Sequence, residues 1–442
     1  MNSNENDAQP VSVFWFRRDL RLEDNAGLYH ALKSGLPVLP IFIFDTDILH
    51  RLDNKHDARV SFIYETLKSL HEKLAKKGSS IRVYHGTPID TWEKVIREHK
   101  IKSVFANHDY EPGAIARDAE IQQLLLAHKI PFHTYKDQVI FEKNEVLKPD
   151  GKPYTIYTPY SRKWKEKLTD FYVKEYPVEK YLDNFLKIKP TPLPALQSFG
   201  FEESELKIPP FEIDEILIRN YHETRDLPGI EGTTRIGPHL RFGTVSIRRI
   251  AAIARELNSV FLNELIWREF YMMILYHFPH VVSGAFHKEY DQIAWDNNEI
   301  HFQKWCEGKT GFPIVDAGML QLNTTGYMHN RVRMITASFL TKHLLIDWRW
   351  GEQYFASKLL DYELASNNGG WQWSAGTGCD AAPYFRIFNP DAQTKKFDIK
   401  GTYIRKWVTE FGTPAYPKPI IDLKFGRGRA LVAYKKALKR EI

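Results

Sequence analysis

The sequence predicts an N-terminal α/β domain with a doubly wound parallel sheet, followed by an all-α C-terminal domain. Short apolar runs alternate with helical patterns as far as residue 135. Six prolines then interrupt the chain between Pro177 and Pro210, and helical spacing dominates after residue 213. We therefore expect the α/β domain over 11–135, a linker over 136–212 and the helical domain over 213–442.

The predicted strands are short runs of apolar, β-branched or aromatic residues, typical of a sheet buried on both faces. They span 11–16, 37–44, 81–85 and 103–106, and helices are expected over 63–74, 90–99 and 115–128. Alternation of strands and helices predicts a parallel, Rossmann-like sheet. No Gly-x-Gly-x-x-Gly follows the first strand, so the usual dinucleotide fingerprint is missing.

The second half of the chain carries apolar residues at helical spacing. Helices are expected over 248–257, 260–278, 314–321, 331–345, 351–360 and 430–439. The sequence contains neither an internal repeat nor a low-complexity tract, so a single all-α domain is expected after the linker.

Composition excludes several classes of protein. The chain has 442 residues, 43% of them hydrophobic, a formal net charge of +6 and two cysteines, which exclude a disulfide scaffold. No apolar run reaches the roughly 18 residues of a membrane span. The polar, acidic start of the chain predicts no secretory or transit peptide. We expect a cytoplasmic protein, associated with the nucleoid if bacterial, without a membrane partner.

One face of a predicted helix combines an acid, two aromatic rings and a guanidinium group. Glu264, Trp267, Arg268 and Tyr271 follow at i, i+3, i+4 and i+7, and charged side chains are rarely buried without a purpose. A second group of polar and aromatic residues begins with Asp361. It comprises Asp361, Glu363, Asn367, Trp371 and Trp373, with NNGG at 367–370 expected to form a loop that lets a ligand approach the backbone.

Two further segments suit phosphate groups. Thr233, Thr234 and Arg235 precede a predicted helix start, where hydroxyl and N–H groups hold either a phosphate or simply cap the helix. The second segment, 329–334, contains Asn330, Arg331, Arg333 and Met334. No His, Cys or carboxylate spacing predicts a metal site, and no hydrolase or Walker-type motif is present.

These segments, in this order, resemble the photolyase/cryptochrome family, most closely the class I cyclobutane pyrimidine dimer photolyases. The resemblance extends over nearly the whole chain. It is carried by FWFRRDLRLEDN at 14–25, TPY at 158–160, RIGPHLRFG at 235–243, NELIWREFY at 263–271, GFPIVDA at 311–317, MHNRVRM at 328–334, NNGGWQW at 367–373 and PYFRIFNP at 383–390.

The resemblance implies an antenna α/β domain and a helical domain that binds FAD. The residues implied in FAD binding are Tyr221, Thr233, Thr234, Arg235, Ile236, Gly237, Arg268, Arg333, Asp361, Tyr362, Glu363 and Asn367. Arg333 is expected to pair with Asp361, and the Asn367 amide to donate a hydrogen bond to the reduced ring at flavin N5. Trp371, Trp348 and Trp295 match the family's electron-transfer chain.

The resemblance also implies light-dependent DNA repair. Reduced, photoexcited FAD donates an electron to a pyrimidine dimer that is flipped out of the DNA, the cyclobutane ring splits, and the electron returns. The implied lesion and DNA contacts are Arg225, Glu264, Trp267, Arg268, Tyr271, Asn330, Arg331, Met334, Trp373 and Gln393. The expected substrate is double-stranded or single-stranded DNA containing pyrimidine dimers, and the expected state is a monomer.

Two relatives with other functions stay open as alternatives. A cryptochrome-type blue-light receptor often carries Asp or Cys where Asn367 stands, and a six-four photolyase has a histidine where Met334 stands. Glu363 replaces the family's usual Asp. The presence of a second, antenna chromophore stays open, and its candidates are deazaflavin, FMN and folate. Folate is disfavoured, because 110–114 (YEPGA) lacks the Asn-Glu pair of folate-binding relatives.

Overall fold

A computed structural model describes residues 9–439 of the chain. The acidic residues that argued against a targeting segment lie before residue 9, outside the described residues. Contacts between Cα atoms divide the chain into two units. The first comprises the described residues through Glu142, together with Lys167–Phe211 and Ile236–Ile253. The second comprises Lys143–Glu166, Glu212–Arg235 and the described residues from Ala254 onward. The domain boundaries expected from the sequence stay a prediction.

The first unit contains a five-stranded parallel sheet. Its strands are β1 (Val11–Phe16), β2 (Val38–Asp45), β3 (Arg82–Gly86), β4 (Ile101–Asn107) and β5 (Phe132–Tyr135), in the order β3-β2-β1-β4-β5. The chain thus extends the sheet from β1 first in one direction and then in the other, which confirms the predicted doubly wound sheet. β1 lies at the centre and is fully buried.

Helices connect the strands: α1 (Ala26–Leu32), α2 (Thr46–Leu49), α3 (Ala58–Ala75), α4 (Pro88–Glu98) and α5 (Pro112–Ala127). Polar side chains before several helices accept hydrogen bonds from the first free N–H groups, as Asp57 does before α3 and Thr87 before α4. The sequence pattern did not predict α1 or β5. α1 spans only seven residues, and β5 is a four-residue strand in which His and Thr interrupt the apolar residues.

A buried ion cluster joins distant segments of the first unit. Arg248 donates to Asp24 at 2.9 Å and to Asp137 at 2.7 Å, and Arg21 pairs with Asp137 at 2.8 Å. All four side chains are almost completely shielded from solvent. Because each charge has an opposite partner, the cluster avoids the cost of an unpaired buried charge.

The remaining α-helices lie largely in the second unit. They are α6 (Tyr157–Lys167), α7 (Glu215–Arg219), α8 (Tyr221–Thr224), α9 (Gly237–Phe242), α10 (Ile247–Leu257), α11 (Ser259–His277), α12 (Glu299–Cys306), α13 (Pro313–Thr325), α14 (Asn330–Ser338), α15 (Trp348–Lys358), α16 (Leu364–Ala375), α17 (Pro390–Phe397), α18 (Thr402–Trp407) and α19 (Leu423–Ala437). α9 and most of α10 belong to the first unit. Among residues 9–439, no helix is long and apolar enough to cross a bilayer.

The structure corrects two predicted elements of the helical region. The helix expected over 331–345 ends as an α-helix at Ser338 and continues as a π-helical turn, Phe339–His343. The NNGG segment at 367–370 is not a loop but part of α16. A Cβ on Gly369 would lie 2.2 Å from Cδ1 of Tyr271, so this glycine admits a neighbouring side chain rather than a ligand.

Candidate active site

The second unit contains a cavity of about 350 Å³, within the range of ligand-binding pockets in proteins. Residues of α11, α14, α15 and α16, with the connection between α15 and α16, supply most of its lining. The predicted site residues that line it are Arg225, Glu264, Trp267, Arg268, Tyr271, Asn330, Arg333, Met334, Asp361, Tyr362, Glu363, Asn367, Trp371 and Trp373. Several sequence-distant motifs thus meet in one place.

α11 presents the predicted acidic and aromatic face to this cavity. Its first turn is capped by Asn258, whose side chain accepts from the N–H of Val260 at 2.9 Å. Glu264 forms an ion pair with Arg225. Burial raises the pKa of the Glu264 carboxyl above its ordinary value, and the neighbouring guanidinium opposes this shift. A half-buried carboxyl at the cavity wall is therefore held by a cation.

Trp267 is fixed by a stacked tyrosine that the sequence reasoning missed. The rings of Tyr157 and Trp267 lie 3.6 Å apart at an interplanar angle of 5°. The Tyr157 hydroxyl donates to the carbonyl of Asn263 at 3.0 Å, and burial raises its pKa to about 12. Because one side of the indole is covered in this way, the rest of Trp267 is held in a set orientation at the cavity. The only sequence signal was the neighbouring TPY block at 158–160.

Two carboxylates at the cavity are each held by an arginine. Arg268 donates to Glu363 at 2.9 Å, and Ser366 donates to the second Glu363 oxygen at 3.1 Å. The expected pair of Arg333 and Asp361 is present at 2.9 Å. The other oxygen of Asp361, Oδ1, is buried and has no hydrogen-bond partner among the described residues. An unpartnered buried acceptor of this kind predicts a ligand that brings an N–H or O–H donor.

Asn367 is oriented by a partly buried glutamate of α15, Glu352. Its Nδ2 donates to the Glu352 carbonyl at 3.1 Å and to Glu352 Oε1 at 2.7 Å. Since both amide hydrogens have acceptors on Glu352, the carbonyl oxygen of Asn367 is the group left for a ligand. This differs from the expected role of Asn367 as a hydrogen-bond donor. Burial raises the pKa of Glu352, and no sequence pattern singled this residue out.

Other predicted residues do not line the cavity. The Tyr221 ring contacts Phe261 at 5.2 Å, and the Thr233 hydroxyl lies 3.1 Å from that of Tyr327. The Arg235 guanidinium lies over the Tyr327 ring, 4.8 Å from its centroid. Those outside the lining are Tyr221, Thr233, Thr234, Arg235, Arg331, Gln393, Trp295 and Trp348. Ile236 and Gly237 belong to the first unit. The binding roles of all these residues stay predictions.

Comparison with known proteins decides the family. Residues 12–180 match the family described as DNA photolyase, and residues 261–415 match the FAD binding domain of DNA photolyase. Deoxyribodipyrimidine photo-lyase of Halobacterium salinarum is 36% identical over 97% of this chain and 99% of its own length. The enzyme of the same name from Escherichia coli is 37% identical, with the same two coverages. The chain belongs to the DNA photolyase family.

Solved photolyase structures share the fold. A bacterial class III photolyase from Agrobacterium tumefaciens is 31% identical, with a TM-score of 0.83 over 99% of this chain and 100% of that one. An archaeal photolyase from Sulfolobus tokodaii, solved with two FAD molecules, is 34% identical, with a TM-score of 0.80 over 96% and 99%. A Synechocystis cryptochrome, at 24% identity and a TM-score of 0.81, shares the fold alone.

Family membership confirms the resemblance, the fold class and the prediction of a DNA-repair enzyme with FAD as cofactor. The cavity of this photolyase-family chain fits that cofactor chemically. The buried, unpartnered Asp361 Oδ1 suits an N–H or O–H donor of FAD, and Arg268 and Arg333 balance the two carboxylates beside it.

The candidate tryptophans in the C-terminal part of this photolyase-family chain lie in different environments. Trp371 is buried and lines the cavity, and Trp373 lines it from the same helix, α16. Trp348 is buried at the start of α15 with the Arg349 guanidinium 4.8 Å from its ring centroid. Trp295 is partly buried and contacts Tyr434, 6.0 Å away between ring centroids. Only Trp371 of the predicted electron-transfer chain lies at the cavity.

Proposed function

We propose that this protein repairs cyclobutane pyrimidine dimers in DNA in a light-dependent reaction. The supporting observation is the single cavity lined both by the paired carboxylates Asp361 and Glu363 and by the aromatic residues Trp267 and Trp373. Curated relatives named deoxyribodipyrimidine photo-lyase support the same substrate. A pocket of this composition can hold a flavin and an extruded pyrimidine dimer next to each other.

The residues proposed to hold FAD are mainly polar groups of the cavity wall. Asp361 accepts a hydrogen bond through its free oxygen, while Arg333 keeps the carboxylate in place. Arg268, Tyr362 and Glu363 form the adjoining wall. Tyr221, Thr233, Thr234 and Arg235 are proposed for the diphosphate. When bound and reduced, FAD supplies on illumination the electron that splits the cyclobutane ring and takes it back afterwards.

The proposed function of Asn367 is to present its carbonyl oxygen to the flavin. Glu352 occupies both amide hydrogens, so the side chain cannot turn without breaking two hydrogen bonds. A fixed neutral acceptor favours an N–H at the facing flavin position and adds no charge next to it. Glu352 is therefore a positioning residue in this proposal.

The lesion side of the cavity is proposed to consist of Trp267, Trp373, Met334 and Glu264. The two indoles give flat apolar surfaces for the pyrimidine rings, and Met334 adds a polarizable contact. Glu264 accepts a hydrogen bond from a pyrimidine N–H when it is ionised and donates one to a pyrimidine carbonyl when it is protonated. A dimer is poorly stacked and paired, which lowers the cost of extruding it from the duplex.

DNA contacts outside the lesion are proposed for polar residues around the cavity. The proposed residues, which suit phosphate and sugar groups, are Arg225, Asn330, Arg331, Gln393, Tyr271 and Arg268. Of these, Arg331 and Gln393 lie outside the cavity lining. We further infer that the protein acts as a monomer on double-stranded and single-stranded DNA, in the cytoplasm, and that Trp371, Trp348 and Trp295 reduce its FAD. Deazaflavin, FMN and no second chromophore at all stay open in this proposal, and folate is disfavoured.

The test uses FAD-bound protein, chemically reduced under anaerobic conditions, with an oligonucleotide carrying one thymine dimer. Blue light is expected to restore the ultraviolet absorbance of the two thymines, and a dark sample is expected not to. A matched oligonucleotide with a six-four photoproduct serves as the second substrate. Failure to split the dimer and recover the thymines under light, with FAD bound, would overturn the proposal. Repair of the six-four substrate alone would assign the other repair class.

A further inference from the structure

Two tryptophans outside the proposed lesion site and electron-transfer chain are linked to the cavity by aromatic contacts. Trp305, on α12, lies 6.1 Å from Trp371 between ring centroids, at an interplanar angle of 70°. Phe302 stacks on Trp305 at 5.9 Å and 17°, and Trp350 contacts Phe302 at 5.2 Å. The rings of Trp371, Trp305, Phe302 and Trp350 thus form one continuous series that starts at the cavity.

The inner end of this series is held tightly. The only rings that contact Trp371 among the described residues are Trp305 and Phe355, and Trp348 is not one of them. A Cβ on Gly351 would lie 2.1 Å from the Trp371 ring, so α15 packs directly against that indole. The rate of electron transfer between two rings falls steeply as the distance between them increases. Trp305 is therefore well placed to give an electron to Trp371.

Trp305 is suited to pass a positive charge onward. It is completely buried, and its indole N–H donates to the carbonyl of Thr336 at 3.2 Å. A peptide carbonyl is too weak a base to remove the indole proton, so an oxidised Trp305 keeps that proton. Burial also disfavours the cation there relative to a position closer to water.

Trp350 is suited to be the outer end of this series of rings. It is only partly buried, so water lowers the cost of a cation on its ring and can accept its indole proton. Tyr354 also contacts Trp305, at 5.8 Å, but its hydroxyl donates to the amide oxygen of Asn323 at 2.6 Å. Burial raises the pKa of Tyr354 to about 12, and a tyrosine is oxidised readily only when a base takes its proton.

We propose that Trp305 and Trp350 form a second electron route to the flavin site, which branches from the expected route at Trp371. The proposal rests on the proposed function, with FAD as the light-driven oxidant. Trp371 gives one electron to photoexcited oxidised FAD, Trp305 gives one to Trp371, and Trp350 gives one to Trp305 across Phe302. The oxidised Trp350 loses its indole proton to water. An external thiol then returns one electron and one proton, which restores the indole.

The test compares variants of FAD-bound protein by transient absorption and by electron paramagnetic resonance of tryptophan radicals after a blue pulse, with dithiothreitol as the thiol. W348F is expected to retain a long-lived tryptophan radical, and W348F/W350F to lose it. W348F/W407F is the matched control, because no ring contact among residues 9–439 joins Trp407 to Trp371, Trp305 or Phe302, and it is expected to behave as W348F. W348F/W305F is expected to lose the radical too. FAD stoichiometry and circular dichroism verify folding.

Equal radical yields in W348F and W348F/W350F would overturn the second route, as would complete loss in W348F alone. The half-buried Trp350 keeps the test decisive even if W305F fails to fold. W371F tests the branch point that both routes share. A radical that persists in W371F would show that neither route starts at Trp371. Repair by chemically reduced wild-type protein is measured independently and is unaffected by either outcome.

Discussion

At the scale of single residues, the cavity combines side chains that the sequence made visible with others that it did not. The spacing of Glu264 and Trp267 on one helix face, and the resemblance that paired Arg333 with Asp361, indicated residues that do meet at the cavity. Glu352 and Tyr157 stayed invisible, because an acid within a helix and a tyrosine at the first position of a helix have no distinctive local pattern. Their positions are set by packing between segments far apart in sequence.

We expect Trp373→Ala to lose lesion affinity while retaining FAD. Loss of one stacking surface costs about 1–3 kcal/mol for each base. Binding of a dimer-containing oligonucleotide, followed by fluorescence anisotropy, measures the effect, and FAD absorbance reports cofactor content. Trp407→Ala is the control, because Trp407 does not line the cavity. Unchanged affinity in Trp373→Ala would remove this residue from the lesion site.

The orientation of Asn367 gives a second prediction. Glu352→Ala removes the side-chain acceptor and leaves Asn367 only its hydrogen bond to the backbone carbonyl of residue 352, so the amide can turn more easily, whereas Glu352→Gln keeps a side-chain carbonyl acceptor at the same place. We expect Glu352→Ala to shift the reduction potential of bound FAD, and Glu352→Gln to shift it less. A potentiometric titration of each FAD-bound variant measures this. Equal shifts in both variants would mean that the glutamate acts by its charge and not by orientation.

Lys342 predicts an unusual pH dependence of stability. The side chain is 1% exposed, donates to the Tyr384 carbonyl at 3.0 Å, and burial lowers its pKa to about 7. Between that value and the ordinary lysine pKa of about 10.4, the unfolded chain binds a proton that the folded chain does not. Wild-type stability should therefore rise as pH increases through this window.

Lys342→Met removes the titrating group at nearly constant volume. Urea unfolding at several pH values from neutral to alkaline should show a rising midpoint in the wild type and a flatter profile in the variant. Lys94→Met, at an exposed position in α4, is expected to leave the wild-type slope intact. Parallel profiles for wild type and Lys342→Met would show that the pH dependence of stability does not come from Lys342.

At the scale of elements, strongly periodic segments were predictable and short or unusual ones were not. α11 and α5 follow their apolar spacing, whereas β5 has four residues and too few apolar positions to be recognised. NNGG at 367–370 favours a turn by local preference, yet α16 includes it because Tyr271 packs against Gly369. Tertiary packing thus overrode the local preference.

Gly369 and Gly370 provide a matched pair within α16. A Cβ on Gly369 would lie 2.2 Å from the Tyr271 ring, so Gly369→Ala is expected to destabilise the protein by about 1–3 kcal/mol through overpacking. A Cβ on Gly370 meets no atom within 4 Å, so Gly370→Ala should stabilise the helix by up to about 1 kcal/mol. Thermal unfolding measures both. The same sign for the two variants would refute this account of α16.

At the scale of the whole molecule, the formal net charge is only +6. We therefore expect DNA affinity to depend on particular arginines and not on the overall charge. Arg331 pairs with Asp226 at 2.8 Å and lies over Phe397, 4.4 Å from its ring centroid. If it contacts a phosphate, Arg331→Ala should weaken binding and reduce the salt slope of log affinity by about one. Lys94→Ala, with its ion pair to Glu98 on α4, is the control. A slope unchanged in Arg331→Ala would exclude the phosphate contact.

The sequence also predicted the general architecture of the molecule, because alternation of strands and helices leaves few topologies for a parallel sheet. It could not predict which chain segments each unit contains. The first unit is assembled from the N-terminal segment, Lys167–Phe211 and Ile236–Ile253. No local pattern in those later segments indicates that they pack with the sheet and not with the helices that surround them in sequence.

This discontinuous first unit has a consequence for synthesis on the ribosome. All five strands have been translated by Tyr135, yet Asp24 and Asp137 acquire Arg248 only after more than a hundred further residues. Until then Arg21 is the one cation of the cluster that has been synthesised, while both carboxylates, Asp24 and Asp137, are present. Burying two carboxylates with one cation has an unfavourable free energy. The α/β unit therefore reaches its native ion pairing only when more than half of the polypeptide exists, and completes folding late although it is translated first.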